Sequence, residues 1–296
     1  MNRCPTPART CKDNCLVVPP SYPRVITAQC IGFDDYKVEL LGPNKARVSG
    51  GILPRAYTIR KLLGDGDDNP KTASVHVAMR GLSLLPAGGI RIPRFNLCPK
   101  AKVCVAPCLA HQGQGFVPDV KGPRAAKTVL FAVAREWFLT RLRRELDTFV
   151  RNNPDVQLGC RLNMFSDVRW EDILIDEYPM ITFYDYSKLT DRHGWLRPNY
   201  YVCLSFDGTN RKACVDALRA GHSVSVVYYN EDGKCGKAAK RQRLPSEWEG
   251  FPVFDGNITD WRPDDVPGSV CGLPLRARTY ASRNKAIKSG FAQLAP

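Results

Sequence analysis

After Pro154 the chain settles into a regular pattern that constrains the fold more tightly than any other feature. Near-continuous apolar runs recur at residues 156–165, 180–186, 200–206, 223–229 and 252–254, with another near 269–273. Helical patterns at 170–177 and 211–220 separate several of them. A strand that is apolar on both faces must be covered on both faces, as strands of parallel βαβ units are. The expected class is therefore α/β, built of parallel βα repeats forming an α/β barrel, complete or incomplete, or an open parallel sheet.

Parallel architecture also says where chemistry collects, namely at the carboxyl ends of the strands. Polar residues follow each run: Asn163, Ser166 and Asp167 after the first, Asp185 and Lys188 at the second, Ser205 and Asp207 at the third, Asn230 at the fourth. The fifth is followed by Asp255, Asn257, Asp260 and Arg262. Asp167 and Asp255 could hold a hard metal or serve as acid and base. Lys188 could pair with phosphate or act as a nucleophile. Any single Asp or Asn here could equally cap a helix, as Asp167 could for the segment at 170–177, but caps alone do not explain the whole set. The candidate catalytic set is Asn163, Ser166, Asp167, Asp185, Lys188, Asp255, Asp260 and Arg262.

Ahead of the repeats lies LCPKAKVCVAPCLAHQGQG, residues 97–115. It carries Cys98, Cys104 and Cys108 at C-x5-C-x3-C spacing, with His111 directly after. One helical turn would put Cys104 and Cys108 on one face. Clustered thiols beside an imidazole suit zinc or an iron–sulfur cluster, so Cys98, Cys104, Cys108 and His111 are the candidate metal ligands, with Cys160 or Cys271 as further sources of a fourth. The spacing fits neither a zinc ribbon nor a ferredoxin run, and the alternative is three cysteines packed as small hydrophobes. Cys4, Cys11 and Cys15 repeat the pattern loosely near the start of the chain.

Between these regions, residues 38–60 and 74–85 predict short strands, and 64–71 an acidic surface loop without the closing Glu of a calcium loop. Residues 123–151 predict one amphipathic helix, with Leu130, Ala134, Phe138, Leu142, Leu146 and Phe149 in its apolar stripe. Its polar face bears Arg141 and Arg144, and a later run, KCGKAAKRQR, contains Lys240, Arg241 and Arg243. These five are the candidate nucleic-acid contacts, against the simpler reading of solvated charge.

The 43 Lys and Arg against 29 Asp and Glu, net +14, favour a polyanionic or phosphorylated partner. No apolar run reaches the length of a membrane span, and the opening residues lack the core of a secretory signal. Twelve cysteines without such a signal imply a reducing compartment, so the expected location is cytoplasmic. There is no nucleophile elbow, paired-histidine metal motif, phosphate-binding P-loop or dinucleotide fingerprint.

In order, LSLLPAG, NLCPKAKVCVAPCL, GPRAAKTVLF, CRLNMFSDVRWEDI, FYDYSK, PNYYVCLSF, GHSVSVVYY, FDGNITDWRPDD, CGLPLRA and a late SGF resemble the gene-product-88-like family of tailed phages and prophages. The resemblance implies an uncharacterised bacteriophage protein in the cytoplasm of an infected host. It divides the chain into an irregular or β-rich region (1–81), an α/β domain (82–291) and a short tail (292–296). Two departures stand out. Met164 and Phe165 replace the family's Gly and Thr beside Asn163, and Asn257 replaces a central Asp, which weakens a metal site there. A Cys-rich loop ahead of parallel repeats also looks like the layout of radical S-adenosylmethionine enzymes, although their C-x3-C-x2-C spacing is absent. Three readings follow: a metal- or cluster-binding enzyme acting on a nucleotide or nucleic acid; a basic nucleic-acid-binding accessory protein of phage replication; and an interaction protein with a structural zinc.

Overall fold

The computed structural model describes residues 24–27, 35–65, 77–85, 96–111, 117–231 and 243–295. Cys4, Cys11, Cys15, Lys240, Arg241 and the side chain of His111 lie outside the described set.

Strands β1 (Arg24–Thr27), β2 (Tyr36–Gly42), β3 (Lys45–Gly50) and β4 (Tyr57–Ile59) pair in that order as an antiparallel meander. Alternation along β2 and β3 turns Val38, Leu40, Ala46 and Val48 inward while Lys37, Arg47 and Lys45 face water. The second sheet contains β5 (Leu63–Asp65), β6 (Val77–Leu82), β7 (Gln157–Arg161), β8 (Ile181–Ser187), β9 (Gly194–Arg197), β10 (Tyr200–Ser205), β11 (Val224–Tyr229), β12 (Glu247–Trp248), β13 (Phe251–Asp255), β14 (Val270–Pro274) and β15 (Ala292–Leu294). Its order is β12-β13-β14-β11-β10-β8-β7-β6-β5, with β9 on β10 and β15 on β11. Every pairing from β6 to β13 along that path is parallel, and β5, β9 and β12 attach antiparallel.

The parallel α/β expectation therefore holds, and each of the six apolar runs became a strand. Closure into a barrel is a different matter. The hydrogen-bonded path ends at β12 and β5, and β14 inserts between β11 and β13 instead of following sequence order. The region expected to precede the α/β domain supplies β5 and most of β6 to its sheet.

The helix expected over 123–151 is two helices, α1 (Pro118–Val133) and α2 (Arg135–Arg151), broken at Ala134 (φ −123°, ψ 50°). In one straight helix Phe131 and Phe138 would sit about 10 Å apart along the axis. The break brings their rings edge to face with centroids 5.2 Å apart. Together the two helices fill the space between the sheets, packing Leu130, Phe138, Leu142 and Leu146 against Val38, Leu40 and Val48 on one side and Leu158, Ile181 and Phe183 on the other. Each such fully buried side chain contributes about 1.5–3 kcal/mol.

The segment at 170–177 is also not a helix but two short 3-10 turns, Trp170–Asp172 and Ile175–Glu177. Tertiary contacts override the local pattern there, because Trp170 is fully buried and its indole donates to Asn163 (3.2 Å). Two more helices complete the described residues, α3 (Arg211–Arg219) and α4 (Tyr280–Lys288). No helix among them is long and apolar enough to cross a membrane.

The other face of the large sheet is covered by the chain after β13. Trp261 lies there among Val77, Met79, Tyr184, Tyr201 and Cys203, its ring edge-on to Tyr184 at 5.2 Å. Only glycine fits at position 159 beneath it: a Cβ would lie 2.6 Å from Trp261 and 2.3 Å from the Met79 sulfur. Gly159→Val should push Trp261 out, costing about 1–3 kcal/mol in urea unfolding and shifting tryptophan emission to the red.

Candidate functional site

Because β6, β7 and β8 run parallel, the segments that follow them emerge at the same end of the sheet. The cysteine loop follows β6, residues 162–171 follow β7, and residues 188–193 follow β8. A short hydrogen bond from the Asp167 amide to the Leu97 carbonyl (2.7 Å) ties the first of these to the second. The loop itself is built from tight turns, with the Ala101 amide donating to the Cys98 carbonyl (2.9 Å) and a 3-10 turn at Val103–Val105. Cys104 and Cys108 thus do not share an α-helical face, contrary to the simplest reading of their spacing.

The loop gathers its thiols around Lys188. The partly buried ammonium is disfavoured by burial, but Cys104, Cys98, Asp167 and Cys108 more than offset this, and its pKa is raised. Burial pushes the Cys98 thiol up to about 12 against the pull of Lys188, and also raises Cys108. Without a second cation these thiols stay protonated. Cys104 is buried in an apolar cluster with Leu275, Ala277, Ala286, Phe291 and Ala292, which seats the loop on α4 and β15.

Asp167 stands beside this group, and its orientation is fixed from behind. Its carboxylate accepts from the Ser187 hydroxyl (2.8 and 2.9 Å), from Arg192 (2.6 Å) and from the Lys188 amide (3.3 Å). Burial nevertheless leaves its pKa raised despite these donors. Arg192 is itself buried, and its remaining donors go to both oxygens of Glu171 (2.7 and 2.8 Å) and to the Tyr200 hydroxyl (3.0 Å).

Asn163, Ser166 and Asp185 form the floor below. The Asn163 amide donates to Asp185 (2.7 Å) and its side chain donates to the Val168 carbonyl and to Asp185. The Asn163 carbonyl oxygen accepts from Ser166, the Val168 amide and Trp170. These bonds hold Asn163 and Ser166 in place between the loop and β8. Asp185 is completely buried and also accepts from Tyr200 (2.9 Å); burial raises its pKa to about 7 against the opposing charge of Arg161.

The predicted convergence splits at this point. Asp260 pairs with Arg161 (3.1 Å) and accepts weakly from Tyr186 (3.4 Å), on the face covered by Trp261. Arg262 is fully buried, donating to the Cys271 sulfur (2.7 Å) and the Thr259 carbonyl and pairing with Asp265 (3.3 Å). Asp255 is exposed and merely closes a turn onto the Asn257 amide and side chain (2.8 and 2.9 Å). Cys160 lies in the core facing the helices, so neither it nor Cys271 joins the thiol group. Among the described residues no three His, Cys, Asp or Glu side chains stand in an arrangement that could hold a metal ion.

Two of the arginines assigned to nucleic acid also bond within the chain. Arg141 pairs with Glu145 (2.8 Å) and donates to Asn44 (2.8 Å) and the Arg60 carbonyl (2.6 Å), while Arg144 makes longer contacts to Pro43 and Asn44. Both fasten α2 to the meander. Arg243 is exposed.

The family model described as Gene product 88 matches residues 60–293. The chain belongs to the Gene product 88 family. No curated protein and no solved structure matches it. The motif resemblance is thus confirmed, and the matched span of this Gene product 88 protein takes in β5, β6, the cysteine loop and every strand from β7 to β14.

Sequence reasoning missed Arg192, Glu171, Ser187 and Tyr200. Arg192 sits in TDRHGW, a polar stretch that reads as surface, and nothing local announces that it turns inward. Asp185 supplies a pH test. Its folded pKa, about 7 against an ordinary 3.8, means the native state binds the extra proton between those values. Its contribution therefore lowers stability as pH rises from about 4 to 7 and is constant above. Asp185→Asn should flatten that part of the unfolding free energy against pH measured in urea; an unchanged slope would refute the assignment.

Proposed function

We propose that this Gene product 88 protein is an enzyme whose working site is the mouth formed by Cys98, Cys104, Cys108, Asp167 and Lys188, that the three thiols take up a soft metal ion or an iron–sulfur cluster, and that the substrate is a nucleotide or nucleic acid. The observation that carries this reading is the gathering of three thiols around one ammonium and one braced carboxylate at the carboxyl end of parallel strands. Open α/β sheets bind their ligands at that edge.

The donor set fits a soft metal in kind, and the raised pKa values of Cys98 and Cys108 say that a cation is needed to hold these two as thiolates. Their positions, however, are not those of a closed site, so uptake requires the loop side chains to turn toward one another. Bound there, a metal or cluster would supply Lewis acidity or an electron. Lys188 would hold an anionic oxygen such as a phosphate, and Asp167, kept in place by Ser187 and Arg192, would accept a proton or a hydrogen bond at its carboxylate.

Protein purified without oxygen should contain stoichiometric metal, with inorganic sulfide and visible colour for a cluster and neither for zinc. Cys98→Ser, Cys104→Ser and Cys108→Ser should each lose it. Unfolding on chelation of a colourless zinc protein, with Asp167→Asn and Lys188→Met behaving as wild type, would assign the thiols a structural role instead. Metal-free protein whose three loop thiols react freely with alkylating reagents would sink both versions.

A further inference from the structure

The contact that seats the cysteine loop on α4 brings together two segments without a single acidic residue. The loop, residues 96–111, carries Lys100 and Lys102; residues 266–296 carry Arg276, Arg278, Arg283, Lys285 and Lys288. Within the joining cluster, buried residues alternate with exposed cations. Leu275 and Ala277 are buried while Arg276 and Arg278 are exposed, Ala286 is buried while Lys285 and Lys288 are exposed, and Lys102 directly precedes Val103, which packs against the cluster. Among the described residues Lys100, Lys102, Lys285 and Lys288 have no ion-pair partner.

We propose that this rim, Lys100 and Lys102 with Arg276, Arg278, Lys285 and Lys288, docks the sugar–phosphate backbone of a nucleic acid and leads it to the thiol mouth. It rests on the reading of that mouth as a nucleic-acid enzyme site and narrows the substrate to a polymer. Arg276 and Arg278 lie two residues apart just beyond β14, both exposed, on the segment that leads into α4. Tyr280 follows at 66 % exposure, an aromatic face beside the cations on which an unpaired base can stack. A membrane surface would instead require α4 to present apolar side chains outward, whereas Ala286 and Ile287 turn into the cluster. The cations supply affinity and the tyrosine favours single strands, since duplex bases are already stacked.

The test measures binding of the full-length protein to labelled single-stranded and duplex DNA over a range of salt concentrations. Binding should weaken steeply with salt. Lys100→Glu/Lys102→Glu and Lys285→Glu/Lys288→Glu should each reduce affinity about tenfold or more near 0.1 M salt and lower the log–log salt slope by about 2. The same charge change on α3, Lys212→Glu/Arg219→Glu, should cost less than about twofold if the rim is the contact. Tyr280→Ala should weaken single-strand binding about tenfold and leave duplex binding nearly unchanged. All substituted positions are exposed, and unchanged thermal unfolding would exclude misfolding. Equal losses from the rim and α3 variants would overturn the proposal, as would a flat salt response or binding to anionic vesicles or mononucleotides but not to DNA. DNA binding retained by the wild-type protein after its metal is removed would separate this proposal from the metal reading, since either can then fail alone.

Discussion

A single buried guanidinium organises the carboxyl end of the sheet. Arg192 reaches inward from the segment after β8 and bonds Asp167 and Glu171 from the segment after β7 and Tyr200 from β10. Planar, always charged and carrying five donors, an arginine can satisfy three oxygen-bearing partners at once where a lysine cannot. Burying such a charge would be very costly without its carboxylates, and the carboxylates would be equally costly without it. The loops after the two strands are therefore locked as a unit, and the charge of Asp167 is felt by the Cys98 thiol and by Lys188.

From that unit outward the polarity alternates. The thiols surround Lys188, Lys188 faces Asp167, Asp167 meets Arg192, and Arg192 shares Tyr200 with Asp185, whose strongest opposing charge is Arg161. Arg161 in turn holds Asp260 on the opposite face of the sheet. Such a chain of paired charges specifies geometry more than it adds stability, since desolvation offsets much of the attraction. It also links two faces that a strand-by-strand reading would treat as one mouth.

Why the elements were legible and the site only partly so follows from the range of the forces. Apolar runs such as 200–206 announce buried parallel strands locally, because both faces of the strand must be covered wherever it sits. The helix break at Ala134 was invisible, since no Gly or Pro marks it and the contact it accompanies, Phe131 against Phe138, forms only between the packed sheets. For the same reason the turns at 170–177 look helical until Trp170 is seen bonded to Asn163. At the site, the thiols, Asp167 and Lys188 were legible because their types are chemical and their positions follow the strands. Asp255 and Arg262 shared those positions, but an Asx turn and a buried ion pair claimed them.

The cysteine loop gains its meaning from being clamped at both ends. Its start is pinned by the Leu97 carbonyl to the Asp167 amide, and its middle by Cys104 in the apolar cluster of α4 and β15. Two anchors of different chemistry, one polar and one apolar, hold the segment across the carboxyl ends of strands from opposite halves of the sheet. This crossing holds together, at the mouth, loops that belong to strands several places apart in the sheet. Burial of the thiols follows directly, and with it the requirement that positive charge accompany any thiolate. Lys188 provides one such charge from below, and any further charge must come from a ligand on the thiols themselves.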